Sequence, residues 1–505
     1  RMRGYGALIT TYGVGELSAM NAIAGSLAEN VPVISIVGVP ATITIENKTC
    51  VHHNFQDVDY HACYEAHKHV TAAAAFLTRD NAKMEIDRVL KTFVKERKPV
   101  YIAVPLDIAK MEISDKEVSY DWFSDEETLR LVSNKIAAKI NNAQKPVIDS
   151  RIEYKEFVEK TRIPTTNFLM GTNLIDMDYD LYLGGYYAGF ENPTAEKYVN
   201  ETDCLIAVGP VYTDLNAFGF NLPYKINNQI AIYGTHTYVD GEKYDNVKMS
   251  DVLEAVTKLV DSKDMKILKP AIGYEHKASS PDALTSEYIY PRLQEFIKDN
   301  DIIVAETGII PHGVAPMKFP AAAELQTQTL WGSIGWATPA LGVCLAKPKS
   351  RVILITGEGS HQLTAMEIGN MLRRGVKPIV IVLNNKGYTI ERVLSETPED
   401  CFNDIMQMNY SKFARVFEGD VWSTKVSTAD DFDKALKVTQ IMNKMCYIEI
   451  CTEAMDMPKL TQDLIANFKS KAPKIEAVKK EEPVKLENSG SMAFETTVHK
   501  GFTEE

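Results

Sequence analysis

Two short runs dense in β-branched residues, RVILIT at 351–356 and PIVIVL at 378–383, bracket a stretch of helical spacing from His361 to Arg374. That pattern predicts a strand, a helix and a second strand parallel to the first. In an open parallel sheet both strands end on the same edge, where ligands bind. Glu358 and Asn385, 27 residues apart, are therefore expected side by side there. A carboxylate, an amide oxygen and a nearby backbone carbonyl suit Mg²⁺, a hard cation that takes oxygen ligands and usually shares them with phosphates. Glycines flank both positions, in Gly357-Glu358-Gly359-Ser360 and in Asn384-Asn385-Lys386-Gly387, and let backbone N–H groups approach phosphate oxygens. Gly-Glu-Gly after a strand is by itself ordinary turn chemistry; the Asn-Asn closing the next strand gives it weight.

The same alternation recurs along the chain. Residues 5–11 and 31–39 read as strands around a helix whose Leu17, Met20, Ala24 and Leu27 share a face, and a helix over 81–97 leads into a strand at 100–104. A polar segment at 111–127 separates this region from a second, with strands near Val147, 204–208 and 230–233 and a helix near 250–260. A linker at 277–282 precedes the third, which adds a strand at 302–305, a helix over 333–346 and a strand at 447–451 to the βαβ unit. The expected fold is α/β, with three doubly wound, mostly parallel sheets. Domain bounds are set at 1–115, 125–270 and 283–469; the aperiodic Lys/Glu/Pro-rich residues 470–505 read as a disordered tail.

A length of 505 residues accommodates these units, and 45% hydrophobic with 24% charged residues is an ordinary globular composition. The net charge of −13 and the lack of a clustered Lys/Arg face argue against nucleic-acid binding. No apolar run approaches the roughly 20 residues that span a bilayer. Seven scattered cysteines without metal-type spacing suit reduced thiols in the cytoplasm.

Five ordered blocks carry a resemblance. Residues 10–19 (TTYGVGELSA), His52-His53, Ala305-Glu306-Thr307-Gly308, residues 330–335 (LWGSIG), and the Gly-Glu-Gly-Ser unit with Asn384-Asn385-Lys386-Gly387-Tyr388-Thr389-Ile390-Glu391 together resemble the thiamine-diphosphate-dependent 2-oxo acid decarboxylases, the pyruvate and indolepyruvate decarboxylase group. The resemblance implies thiamine diphosphate and Mg²⁺ as cofactors, with Glu358, Asn385 and the carbonyl of Gly387 on the metal. It further implies that Thr307, Gly308, Gly332, Ser333, Ile334, Gly357, Gly359, Ser360, Tyr388, Thr389 and Ile390 contact the cofactor, with Gly332 and Ile334 imposing its bent shape. His52, His53 and Glu391 would be the catalytic residues: the histidines, on a loop over the site, move protons, and Glu391 assists departure of the carboxylate. Without the family context, Ile334 reads as core and Glu391 as a helix-start glutamate favoured by the macrodipole.

The implied reaction is decarboxylation of a 2-oxo acid, pyruvate first, with indolepyruvate, phenylpyruvate or branched acids as alternatives. Leu325, Gln326, Thr329 and Met406 are candidates for lining the pocket. The family's site lies between the first domain of one subunit and the third of another, so a homodimer, commonly paired into a tetramer, is implied. Two departures stand out. Glu358 occupies a position usually held by Asp, and its extra methylene moves the carboxylate by roughly 1.5 Å. The family's activating glutamate, and an aspartate that accompanies the histidines, fall before Arg1, which is expected to mark a fragment of a longer enzyme; a catalytically inert homologue is the alternative from another class.

Overall fold

The computed structural model describes residues 4–113, 118–150, 155–187, 190, 192–215, 229–263, 265–328 and 330–471. Its strands form three sheets. The first contains β1 (Gly6–Thr11), β2 (Val33–Val39), β3 (Ala73–Phe76) and β4 (Val100–Pro105), in the order β1-β2-β4-β3 and all parallel. β1 is an edge strand, and Ile9 on it is exposed.

The second sheet runs β11-β10-β9-β8-β5-β6-β7, built from β5 (Pro146–Ser150), β6 (Thr165–Asn167), β7 (Tyr182–Gly185), β8 (Cys204–Val208), β9 (Gln229–Ile232), β10 (His236–Val239) and β11 (Glu242–Asp245). Only β10 and β11 are antiparallel additions at its edge. The third sheet is fully parallel: β12 (Ile302–Ala305), β13 (Glu324–Gln326), β14 (Val352–Gly357), β15 (Ile379–Asn384), β16 (Val421–Val426) and β17 (Met445–Cys451), ordered β13-β12-β14-β15-β17-β16.

Side chains alternate across a strand, and a parallel sheet covered on both faces needs apolar residues at both phases. The third sheet meets that need residue by residue. Ile303, Ile353, Ile355, Ile379, Ile381, Ile448 and Ile450 enter a cluster continuous with the core of the second sheet. Their neighbours Ile302, Val304, Val352, Leu354, Val380, Val382 and Tyr447 pack on the opposite face with Trp336, Ile368 and Met371. The second and third sheets thus share one apolar interior.

Two helix expectations change. The helix predicted over 333–346 starts at Ala337, because Gly332 and Gly335 adopt φ of 69° and 102°, outside the helical region. The helical stretch from His361 to Arg374 is two pieces, Glu358–Thr364 and Glu367–Arg373. The tail expected to be disordered lies outside the described residues beyond Lys471. All seven cysteines are free.

Ile381 is fully buried on β15. Ile381→Ala should cost about 2–5 kcal/mol through lost burial and a residual cavity. Urea denaturation should show a lower midpoint; an unchanged midpoint would contradict the two-faced core.

Candidate active site

β12 is followed by β13 on one side and β14 by β15 on the other, so the winding of the third sheet reverses between β12 and β14. The crevice outside the carboxyl ends at such a reversal is where open α/β sheets bind ligands. Thr307 and Gly308 follow β12, Glu358, Gly359 and Ser360 follow β14, and Asn385, Gly387, Tyr388, Thr389 and Ile390 follow β15.

Glu358 opens the helix Glu358–Thr364 and is buried. Its Oε1 accepts from the Gly387 N–H at 2.6 Å, so the carboxylate reaches from the tip of β14 to the loop after β15. The Asn385 amide lies against the same carboxylate and has two orientations. With nitrogen inward it donates to the Gly387 carbonyl at 2.8 Å and to Glu358 Oε2 at 3.3 Å, while its oxygen takes the Thr389 hydroxyl proton at 2.7 Å. That proton is already given to the Ala454 carbonyl at 2.7 Å and cannot serve both acceptors.

With oxygen inward, the amide nitrogen faces Thr389 Oγ1, and three oxygens from Asn385, Glu358 and Gly387 face one another. Such a cluster repels unless a cation lies among them. The donor set of carboxylate, amide and backbone oxygens fits Mg²⁺. Burial pushes the Glu358 carboxyl up to about 7, against the lowering pull of the Gly387 N–H; a nearby cation would favour its charged form.

The surrounding loop leaves little freedom. Gly387 has φ of 139°, and a Cβ there would stand 2.4 Å from the Asn403 carbonyl oxygen. Arg392, buried, donates through Nη2 to the Lys386 carbonyl and to Asp404 at 2.7 Å each, and the Tyr388 N–H donates to the Asn403 carbonyl at 3.0 Å. At Gly359 a Cβ would meet the Tyr388 ring at 2.6 Å, so the two loops close directly on each other.

Gly332, Ser333 and Ile334 form the approach to the helix Ala337–Ala346. Glu306, fully buried at the end of β12, holds that segment: its carboxylate accepts from Gly335 N–H at 2.9 Å, Trp336 N–H at 3.0 Å and the Thr356 hydroxyl at 2.7 Å. Burial pushes Glu306 up to about 7 despite these three donors. Gln328 donates to the Ser333 carbonyl at 2.5 Å. From the first sheet's side, Glu29 accepts from Leu330 N–H at 3.1 Å and Asn21 accepts from the Trp331 indole at 3.0 Å. Ile334 is exposed, which does not fit a core role.

His52 and His53 sit on a turn, both exposed, with ring centroids 4.5 Å apart. Among the described residues no hydrogen bond or ring contact joins them to the loops of the third sheet. Glu391 is exposed in the first turn of the helix Thr389–Leu394. Of the candidate lining residues, Met406 is exposed and Thr329 lies outside the described residues. Leu325 and Gln326 instead face a separate cavity of about 500 Å³ with Asn173 and Asp176.

Glu306, Gln328 and Arg392 were not singled out in the sequence. Glu306 alone left a signal, a carboxylate directly after an all-apolar strand, which must be neutralised or bonded once buried.

Residues 311–450 match the C-terminal TPP binding domain of thiamine pyrophosphate enzymes, and 133–259 match the central domain of such enzymes. The chain is 32% identical over 490 residues to pyruvate decarboxylase isozyme 2 of Saccharomyces cerevisiae, covering 91% of this chain and 86% of that one. It is 31% identical over 486 residues to pyruvate decarboxylase of Kluyveromyces lactis, with the same coverage. An alpha-keto-acid decarboxylase of Mycolicibacterium paratuberculosis is 28% identical over 484 residues, covering 92% and 86%.

Asn385→Ala removes one of the three converging oxygens. Calorimetry should show Mg²⁺-dependent retention of thiamine diphosphate weakened by more than about tenfold; equal retention would dismiss the oxygen cluster as the metal site.

Proposed function

The chain belongs to the thiamine-diphosphate-dependent 2-oxo acid decarboxylases, and from that premise we propose that it converts pyruvate to acetaldehyde and CO₂. The observation that carries the reading is the convergence of Glu358, Asn385 and Gly387 at the tips of β14 and β15, beside the winding reversal of the third sheet. Thiamine diphosphate, when bound with a divalent metal, supplies the electron sink that no side chain offers for the pair left behind as CO₂ departs.

The protein's own part is to bind, orient and move protons. Glu358 and Asn385, with the Gly387 carbonyl, would hold Mg²⁺. Thr307, Gly308, Gly357, Gly359 and Ser360 would meet the phosphates where two strand tips adjoin, and Tyr388, Thr389 and Ile390 would close the loop beside them. Gly332, Ser333 and Ile334 would fix the ring system, on a segment that the buried Glu306 carboxylate keeps in place. Glu391 would face the departing carboxylate, and His52 and His53 would deliver a proton to the carbon from which CO₂ has left, regaining it from solvent.

Among the described residues the histidine pair has no partner on the third sheet of its own chain, which supports a site completed across a homodimer, with a tetramer as the further assembly. Exposure of Trp331, Leu363, Met366 and Phe402, large apolar residues in and beyond the site loops, supports the same assembly. The three units 1–115, 125–270 and 283–469 are assigned as its domains. Among the described residues no helix is long and apolar enough to cross a membrane, and we assign the enzyme to the cytoplasm.

A screen of 2-oxo acids with Mg²⁺ and thiamine diphosphate tests the substrate. Pyruvate is expected to give the highest kcat/KM. A faster aromatic or branched acid would replace the substrate assignment, and no CO₂ from any acid would remove the activity from this chain. His53→Asn, which keeps a residue tolerant of the φ of 67° found there, should slow turnover by at least about a hundredfold with cofactor still bound; undiminished turnover would remove His53 from proton transfer.

A further inference from the structure

The geometry points to Tyr12, Gly13 and Glu16 as positioning residues that set the His52–His53 turn, with the Tyr12 hydroxyl as the specific hold on it; this rests on the reading of the histidines as the proton-transfer pair. Exposed imidazoles on a turn have little packing to orient them, so their direction must come largely from the backbone beneath. That backbone is bound at two points. The Tyr12 hydroxyl donates to the His52 carbonyl at 2.6 Å. Gly13, at φ of 60°, stands so close to the next residue of the turn that a Cβ on it would fall 1.9 Å from the His53 carbonyl oxygen.

Both points lead into the core. Glu16, buried in the first turn of the helix Val14–Ala28, accepts from the Gly13 N–H at 2.8 Å and from the Tyr101 hydroxyl at 2.7 Å. Tyr101 is on β4 and itself buried. The far side of the loop is held by Tyr60, whose hydroxyl donates to the Thr49 carbonyl at 2.7 Å. His53 has a left-handed φ of 67°, a conformation that a non-glycine residue keeps only where its surroundings over-determine it. The Tyr12 ring completes the arrangement, with its centroid 5.8 Å from that of His53 and 6.1 Å from that of Tyr60. A path therefore runs from the centre of the first sheet through one carboxylate and one glycine to the histidines, and Tyr12 ties the same turn from the side.

Tyr12→Phe removes one oxygen and keeps the ring. Amide hydrogen exchange over residues 51–56 is expected to quicken by roughly fivefold, with the melting temperature and the exchange of β2 and β4 unchanged. Turnover of pyruvate is expected to fall by about tenfold in kcat, with KM within about twofold. Against a His53→Asn background the same change should cost clearly less than it does alone. Unaltered exchange in Tyr12→Phe overturns the proposal, whatever the turnover of the parent chain; so does a full, multiplicative loss in the His53→Asn background, which would place Tyr12 in some other role. Faster exchange together with undiminished turnover in His53→Asn leaves the positioning intact and sinks the proton-transfer reading instead.

Discussion

A buried carboxylate that must be answered by opposite charge organises the centre of this molecule. Glu358 is removed from water at the tip of β14, and taking a charge into such a place is costly unless it is paired or bonded. The Gly387 N–H supplies one donor. The remaining oxygen looks toward the Asn385 amide, which lies beside Thr389 and whose own oxygen, turned inward, calls for a cation among the three oxygens. Two strand ends, one helix start and one loop are thereby committed to an arrangement that a divalent cation would complete. The parallel pairing of β14 with β15, in register from Ile353 opposite Ile379 to Gly357 opposite Leu383, places them there.

Glu306 shows the other way of keeping a carboxylate in the interior. It has the same raised proton affinity as Glu358, from the same cause, yet it meets three protein donors. It therefore acts as a strut, joining β12 and β14 to the segment of Gly332 and Ile334, whereas Glu358 keeps an oxygen available. The length of the glutamate side chain lets its carboxylate reach the backbone N–H of the facing loop. The glycine at 387 permits this, since any Cβ there would strike the Asn403 carbonyl and the Arg392 guanidinium.

Much of this was legible from residue pattern. The apolar runs at 351–356 and 378–383 predict strands because both faces of the sheet are covered, and the pairing of Glu358 with Asn385 follows from where parallel strands end. Short or edge elements left weaker traces. β13 has three residues and β10 and β11 four each, too few for a period to stand out. The start of the helix at Ala337 was hidden because Gly335 and Trp336 look helix-compatible in a local window, while their N–H groups are claimed by Glu306, 29 and 30 residues away at the tip of β12. The hold of Tyr12 on His52 spans 40 residues and has no local signature at all.

Anomalous diffraction from crystals grown with Mn²⁺ and thiamine diphosphate examines the central claim most directly. The account predicts a peak about 2.1 Å from oxygens of Glu358, Asn385 and Gly387, with the Asn385 amide oxygen turned toward it. A peak held by other residues, or an Asn385 nitrogen still donating to Glu358 in the loaded protein, would contradict it.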